Sequence, residues 1–147
     1  MKLRNKIFEG KRCIITGATG GLGKQIAKEF AQAGCNLFLT SRSNEKLELL
    51  KNELKTENQG IEIFYSSSDL TKIESVTNLI ENIREKFSSI DILINCAGNF
   101  PVKSLSESTI EEYDSCMNLN VRAPFVLSKE FSKDMIKNEW GRIVNIA

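Results

Sequence analysis

The sequence lacks histidine altogether and contains only two prolines and four cysteines. The cysteines, at positions 13, 35, 96 and 116, are widely separated and form no C-x-x-C pair. With no histidine to complete a ligand set, this pattern argues against a metal site and against a disulfide framework. We expect the cysteines to be small apolar side chains in a protein of the reducing cytoplasm.

Long apolar runs and an excess of charge of one sign are also missing. No run approaches the length of a membrane span, and residues 1–10 contain no apolar stretch typical of a secretory signal. A formal net charge of +1 gives no electrostatic reason to expect a nucleic-acid partner. At 147 residues and 41% hydrophobic content, residues 1–147 are expected to form a single soluble domain.

What is present is an alternation of short apolar runs with segments of helical spacing. Leu22, Ile26 and Phe30 recur every four residues before Gly34, which is a typical helix end. Thr71-x-x-Glu74 and Ser108-x-x-Glu111 have capping-box spacing and predict helix starts. The runs are continuous, as in parallel strands covered on both faces, and lie at 13–15, 37–39, 61–65, 92–94 and 143–144. This order predicts an α/β protein with a doubly wound parallel sheet, a three-layer Rossmann fold.

The first strand leads directly into a glycine-rich loop, T-G-A-T-G-G-L-G at residues 16–23. Glycines let a pyrophosphate approach the backbone, and the following helix start offers it free N–H groups. A nucleoside-triphosphate P-loop is excluded because Ala18 and Gln25 stand where its first glycine and its Ser or Thr would be. We therefore predict a dinucleotide site whose contacts include Gly17, Thr19, Gly21, Leu22 and Gly23.

This loop resembles the T-G-x-x-x-G-x-G signature of the short-chain dehydrogenase/reductase family. Because Gly20 is also a glycine, the loop is equally compatible with the T-G-x-x-G-x-x-G of the family's larger, epimerase-like branch. The fourth strand ends in N-C-A-G, residues 95–98, which resembles the N-N-A-G of the compact reductase branch. The resemblance implies that Asn95, Ala97 and Gly98 lie beside the cofactor. Ala97 and Gly98 leave room for a ligand, and Asn95 can hydrogen-bond neighbouring main chain.

The residues after the second strand predict the cofactor. NAD-specific enzymes place an acidic side chain there to bind the ribose 2′-hydroxyl. Here Ser41 occupies the position where NAD-preferring family members carry Asp, and Arg42 follows it. A guanidinium group at this point can bind a 2′-phosphate through charge-assisted hydrogen bonds, although it could also be a solvated surface residue. We expect NADP(H) as the cofactor.

Two further segments resemble motifs of the family. Asp69-Leu70 is similar to its D-[LV] pair, in which the Asp contacts the adenine amino group; Asp69 could instead cap the next helix. Asn120 aligns with the active-site asparagine, a member of the catalytic tetrad that helps hold a proton-relay water. The alternative for Asn120 is a polar residue at a helix irregularity near Pro124.

The other tetrad members have no counterpart in the sequence. In the family a Ser follows the fifth strand, and a Tyr-x-x-x-Lys on the next helix supplies the general acid or base. Residues 141–147, G-R-I-V-N-I-A, resemble the family's G-R-I-V-N-I-x-S, and neither Tyr65 nor Tyr113 is followed by Lys four residues later. The resemblance covers about the first three-fifths of a family member, so we expect the cofactor-binding part of a longer enzyme, inactive alone.

The resemblance implies an oxidoreductase that transfers hydride between the nicotinamide of NADP(H) and a small-molecule carbonyl or alcohol. A 3-oxoacyl thioester on an acyl-carrier protein is the candidate substrate. The family also implies a homo-oligomer assembled through helices around residues 120–138 and the helix that would follow the fifth strand. From the charge and the apolar runs we expect no nucleic-acid or membrane partner. The alternative from a different class is a non-catalytic nucleotide-binding or partner-binding module.

Overall fold

Five parallel strands form one sheet in the computed structural model, which describes residues 6–147. Their order is β3-β2-β1-β4-β5, so the chain leaves β1 in one direction and later returns to its other side. The strands are β1 Arg12–Thr16, β2 Asn36–Ser41, β3 Ile63–Ser67, β4 Ile92–Asn95 and β5 Arg142–Asn145. The prediction of a doubly wound parallel sheet is confirmed.

Helices cover the sheet on both faces and complete the three layers. They are α1 Gly21–Gln32, α2 Asn44–Glu57, α3 Ile73–Lys86, α4 Ile110–Met117 and α5 Ala123–Lys137. A 3₁₀ turn spans Leu105–Glu107, and a π-helical segment, Asn118–Arg122, joins α4 to α5. Helices α1 and α2 pack on one face of the sheet, and α3 and α5 pack on the other. Within the described part of the chain, no helix is long and apolar enough to cross a bilayer.

The continuous apolar runs are buried on both faces in the centre of the sheet but not at its edge. In β1, Cys13 and Ile15 join the core beneath α1 and α2, whereas Ile14 joins the core beneath α3 and α5. In β5, Ile143 is 38% exposed and Val144 is 42% exposed. The expectation of coverage on both faces is therefore wrong for β5, which lies at the edge of the sheet and, within the described residues, pairs with β4 alone.

In helix α1 the fully buried stripe lies beside the one that its large side chains predict, although Ile26 and Phe30 of the predicted stripe pack, partly buried, against the core. Leu22 is 54% exposed, and the buried positions are Gly23, Ala27 and Ala31. These positions have the same four-residue repeat, but their small side chains let the helix backbone lie close to the sheet. The sequence prediction relied on large apolar residues and therefore identified the neighbouring stripe of Leu22, Ile26 and Phe30.

The ends of the helices agree with the sequence only in part. Gly34 follows α1 with a φ of +85°, as expected for a glycine that ends a helix. The capping box predicted at Thr71 is wrong, because α3 begins after Lys72 and the Thr71 hydroxyl donates to Asp69 instead. The box predicted at Ser108 lies one residue later, at Thr109 and its partner Glu112.

Candidate nucleotide-binding site

A cleft of about 710 Å³ opens at the carboxyl ends of the strands. This volume is in the range of small-molecule and cofactor sites. Its walls come from the loops that follow β1, β2, β3 and β4, as expected for a ligand site at the switch point of a doubly wound sheet.

The glycine loop is shaped by close approaches of the backbone. Gly17 has a φ of +64°, and a Cβ atom there would lie 2.8 Å from the Ala97 Cα, so only glycine fits between the two loops. A Cβ on Gly23 would collide with the Gly17 carbonyl oxygen, whereas one on Gly21 would have no neighbour within 4 Å. Gly17 and Gly23 therefore close the loop, and Gly21 leaves open space at the start of α1.

Thr16 ties the glycine loop to the loop after β4. Its buried hydroxyl oxygen accepts hydrogen bonds from the backbone N–H groups of Cys96 and Ala97, both at 3.0 Å. These bonds satisfy two donors at the end of β4 and fix Ala97 against Gly17. The two family-like motifs are thus one physical unit, although 80 residues separate them in sequence.

The end of β2 presents positive charge to the cleft. Arg42 and Lys46 both line it, and the Ser43 hydroxyl caps α2 by accepting from the Lys46 backbone N–H at 3.3 Å. Within residues 6–147, neither cationic group lies within 4 Å of a carboxylate. Ser41 also lines the cleft, and its buried Oγ has no partner among the described residues. This corner can accept an anion that also hydrogen-bonds a hydroxyl.

Asp69 also lines the first cleft and lies after β3, the strand next to β2. Its Oδ1 accepts hydrogen bonds from the Thr71 hydroxyl at 2.7 Å and from the Thr71 N–H at 3.1 Å. These bonds, the hydroxyl first, hold the pKa of Asp69 below its ordinary value, with Lys72 adding to the effect and partial burial opposing it. Asp69 makes no side-chain bond to the first turn of α3 in the described structure, so the alternative role of a helix cap is not the one observed.

A second, more apolar cleft adjoins the first and holds Asn120. The Asn120 amide forms two hydrogen bonds with the Asn99 backbone, donating to its oxygen at 2.7 Å and accepting from its N–H at 3.0 Å. Asn120 is thus part of the π-helical irregularity just before Pro124, and it also lines a cleft. Both readings of this residue fit the geometry, and its catalytic role stays a prediction.

Asn95 makes different contacts from those expected. Its Nδ2 donates to the Asn145 Oδ1 at 2.8 Å and lies 3.4 Å from the Ser128 hydroxyl oxygen, so the predicted bond to neighbouring main chain is wrong. Because β4 pairs in register with β5, Asn95 and Asn145 lie side by side and their amides meet. The Asn95 Oδ1 is buried without a partner in the described structure.

The structure brings most of the predicted residues to these two clefts, although their roles stay predictions. The first cleft is lined by Gly17, Thr19, Ser41, Arg42, Asp69, Leu70, Ala97 and Gly98. The second is lined by Asn95 and Asn120, together with Ala97 and Gly98. Gly21, Leu22 and Gly23 line neither cleft. Sequence reasoning missed further residues of the first cleft, including Ser43, Lys46, Thr71, Asn99, Phe100, Ser115 and Leu119. Of these, Lys46 lies four residues after Arg42, in the first turn of α2.

Comparison with known proteins gives a consistent family. Residues 11–147 match the model of the short chain dehydrogenase family. The 3-oxoacyl-[acyl-carrier-protein] reductase of Rickettsia typhi is 35% identical over 140 residues, which are 95% of this chain and 54% of that protein. The chain therefore spans about half the length of the curated relatives it matches.

Solved structures of other oxidoreductases have the same fold as this chain. L-sorbose reductase from Gluconobacter frateurii, complexed with NADPH and L-sorbose, superposes with a TM-score of 0.88 at 28% identity, covering 95% of this chain and 52% of that one. The alcohol dehydrogenase from Thermococcus sibiricus, complexed with 5-hydroxy-NADP, gives a TM-score of 0.84 at 33% identity, with coverages of 91% and 57%.

Proposed function

The chain belongs to the short-chain dehydrogenase family, and from this membership we propose that it forms the NADP(H)-binding part of an oxidoreductase. The reaction is hydride transfer between the nicotinamide and a carbonyl or alcohol substrate. Within this proposal, residues 1–147 bind and orient the cofactor, and their first five residues lie outside the described structure.

The observation that carries the proposal is the chemistry at the end of β2. Two cations, Arg42 and Lys46, lack carboxylate partners in the described structure, and the buried Ser41 hydroxyl lacks any partner. A phosphate on the adenosine ribose supplies acceptors for all three groups, whereas a free ribose hydroxyl supplies no charge. No acidic residue occupies the position that NAD-specific enzymes use. The corner therefore fits NADP(H) better than NAD(H).

The rest of the cleft fits the other parts of this cofactor. Gly17, Thr19 and Gly20 line the cleft just before α1, whose first N–H groups can bind a pyrophosphate. The Asp69 Oδ2, which lies 3.7 Å from the Lys72 Nζ, has further acceptor capacity for the adenine amino group. When bound, the nicotinamide supplies the hydride chemistry, and the residues of this chain hold it in place. The NADPH and NADP derivatives in solved relatives support this assignment.

The substrate class rests on the relatives rather than on the cleft. A 3-oxoacyl thioester carried on an acyl-carrier protein is supported by the reductases of that name among the sequence relatives. Self-association of the whole protein through α5 is supported by exposed apolar residues on that helix, including Phe125 and Ile136.

A non-catalytic role for the 147-residue chain itself is favoured by one specific observation. Its two tyrosines, Tyr65 in β3 and Tyr113 in α4, are not followed by the lysine that would activate them as an acid or base. We therefore expect this chain to bind NADPH and to give no measurable turnover with a panel of ketones and 3-oxoacyl thioesters. Turnover would show that a different group supplies the proton.

Calorimetric titration of the full chain with NADPH and NADH tests the cofactor assignment. We expect NADPH to bind at least tenfold more tightly, and Arg42→Asp to weaken NADPH about 100-fold while NADH changes little, because only the phosphate contact is lost. Lys137→Asp, with the same charge change at the exposed end of α5, should leave both affinities unaltered. An equal loss for both nucleotides in Arg42→Asp would contradict the role of Arg42.

A further inference from the structure

Arg122 connects two parts of the cleft that are far apart in sequence. It ends the π-helical segment that carries Asn120, and its Nη2 donates to the Thr71 carbonyl oxygen at 2.8 Å across 51 positions. Thr71 lies in the loop after β3 and lines the first cleft, as does Leu119 of the π-helical segment. The contact therefore joins the loop after β3 to the π-helical segment.

Thr71 in turn determines where the Asp69 carboxylate lies. Its hydroxyl and its N–H both donate to Oδ1, whereas Oδ2 forms an ion pair with the Lys72 Nζ at 3.7 Å, and Asp69 lines the first cleft. A displacement of Thr71 would carry Oδ1 with it, because two hydrogen bonds couple them. The position of Oδ2 therefore depends on the Thr71 backbone, which Arg122 holds.

From these contacts we infer that Arg122 is a positioning residue, which sets the Asp69 carboxylate for recognition of the adenine base. The inference rests on the proposed NADP(H) function. Arg122 itself does not line either cleft and so acts through Thr71.

The bonding of Arg122 is poor for a residue whose purpose is stability. Its side chain makes one hydrogen bond to the protein, and its Nε is buried without a partner in the described structure. An orphaned buried donor costs free energy that an apolar side chain would avoid. π-helical segments are also frequent at functional sites. The Arg122 guanidinium is therefore better explained by its hold on the Thr71 backbone than by a contribution to stability.

The preference of the protein for adenine over hypoxanthine depends directly on the position of the Asp69 Oδ2. The adenine 6-amino group is a donor and meets the Oδ2 acceptor, whereas hypoxanthine has a carbonyl oxygen at the same point, which a carboxylate repels. Discrimination between these bases depends on how closely Oδ2 approaches. Discrimination between NADPH and NADH depends on the other end of the adenosine, at Arg42.

The experiment titrates the full chain and its variants with NADPH, with its hypoxanthine analogue, and with NADH. We expect Arg122→Met to reduce the preference for adenine over hypoxanthine about fivefold, the size of one lost hydrogen bond, with the NADPH to NADH ratio unchanged. Arg122→Lys keeps a donor and should recover most of the preference. Arg142→Met is the matched control, since that guanidinium donates only to its neighbour Gly141 in the described structure and lies at the far end of the sheet.

An unaltered base preference in Arg122→Met overturns the inference, and so does a parallel fall in both ratios, because that would indicate general loosening of the fold. If the wild-type chain binds NADPH and only this ratio test fails, the proposed function stands without the role of Arg122. If the wild-type chain binds none of the three nucleotides, the proposed function fails and the inference with it.

Discussion

The sheet differs between the side where its parallel strands begin, here called the amino-terminal edge, and the side where they end, the carboxyl-terminal edge. At the amino-terminal edge, the Asp91 carboxylate is only 5% exposed and is bonded on both oxygens. Its Oδ1 lies 3.3 Å from the Lys11 Nζ, and its Oδ2 accepts from the Arg12 Nε at 3.1 Å and from the Arg12 N–H at 3.0 Å. Lys11 also lies over the Trp140 ring. Polar groups at this edge are paired within the protein.

The carboxyl-terminal edge shows the opposite pattern. Every buried side-chain polar atom that lacks a partner within residues 6–147 is at this edge or fixed to a loop there: Thr40 Oγ1, Ser41 Oγ, Asn95 Oδ1 and Arg122 Nε. Native proteins satisfy almost all buried polar groups, and exceptions concentrate where a ligand or solvent supplies the partner. This contrast supports the proposal that the amino-terminal edge contributes to stability and that the carboxyl-terminal edge binds the cofactor.

The largest expected effect comes from the tight backbone contact in the glycine loop. Gly23→Ala places a Cβ against the Gly17 carbonyl oxygen, and neighbouring backbone cannot move cheaply. We expect it to lower the free energy of unfolding by about 3 kcal/mol and to abolish NADPH binding. Gly21→Ala, in the same loop but with open space, should change the stability by less than about 0.5 kcal/mol. Chemical denaturation of both variants measures this, and equal stabilities would contradict the geometry.

A smaller effect, confined to stability, is expected at the amino-terminal edge. Asp91→Ala leaves the Arg12 N–H and two cations without their acceptor, and because Lys11 and Arg12 are partly exposed we expect a loss of about 2 kcal/mol. The affinity of the folded protein for NADPH should not change. Asp114→Ala, at an exposed position of α4, is the matched control. A large loss of NADPH affinity in Asp91→Ala would show that the amino-terminal edge also contributes to cofactor binding.

The smallest effect is expected at the carboxyl-terminal edge. Ser41→Ala removes a buried hydroxyl that no described residue satisfies, so the unfolding free energy should stay the same or rise by about 0.5 kcal/mol. NADPH affinity should fall about threefold, while NADH affinity should not. Thermal unfolding and titration of the same sample check both parts. A loss of stability without a change in NADPH affinity would show that the Ser41 hydroxyl stabilises the folded protein and does not contact the cofactor.

Much of this arrangement could be predicted from local sequence. The apolar runs give the strands, and the parallel order follows because helices separate them. Gly17 and Arg42 were identified because each lies directly after a strand, where this fold places ligands. Such features depend on a few neighbouring residues, so a linear pattern is enough to find them.

The rest depends on choices between nearby partners and on contacts between distant segments. Thr71 was predicted to cap α3 with Glu74, three residues later, but its hydroxyl bonds to Asp69, two residues earlier. The bond from Arg122 to Thr71 spans 51 positions and follows no repeat. The small-residue face of α1 was missed because its burial reflects how near the helix lies to the sheet. None of these could be found without the packing of the whole domain.

Amide chemical shifts of the full chain, recorded by two-dimensional NMR during titration with NADPH, test the central claim most directly. We expect perturbations at the carboxyl-terminal edge, including Gly17, Ser41 and Ala97, and none at Asp91 or Trp140. NADH should perturb the same loops more weakly at equal concentration. Perturbations centred on the amino-terminal edge, or an unchanged spectrum at millimolar NADPH, would contradict it.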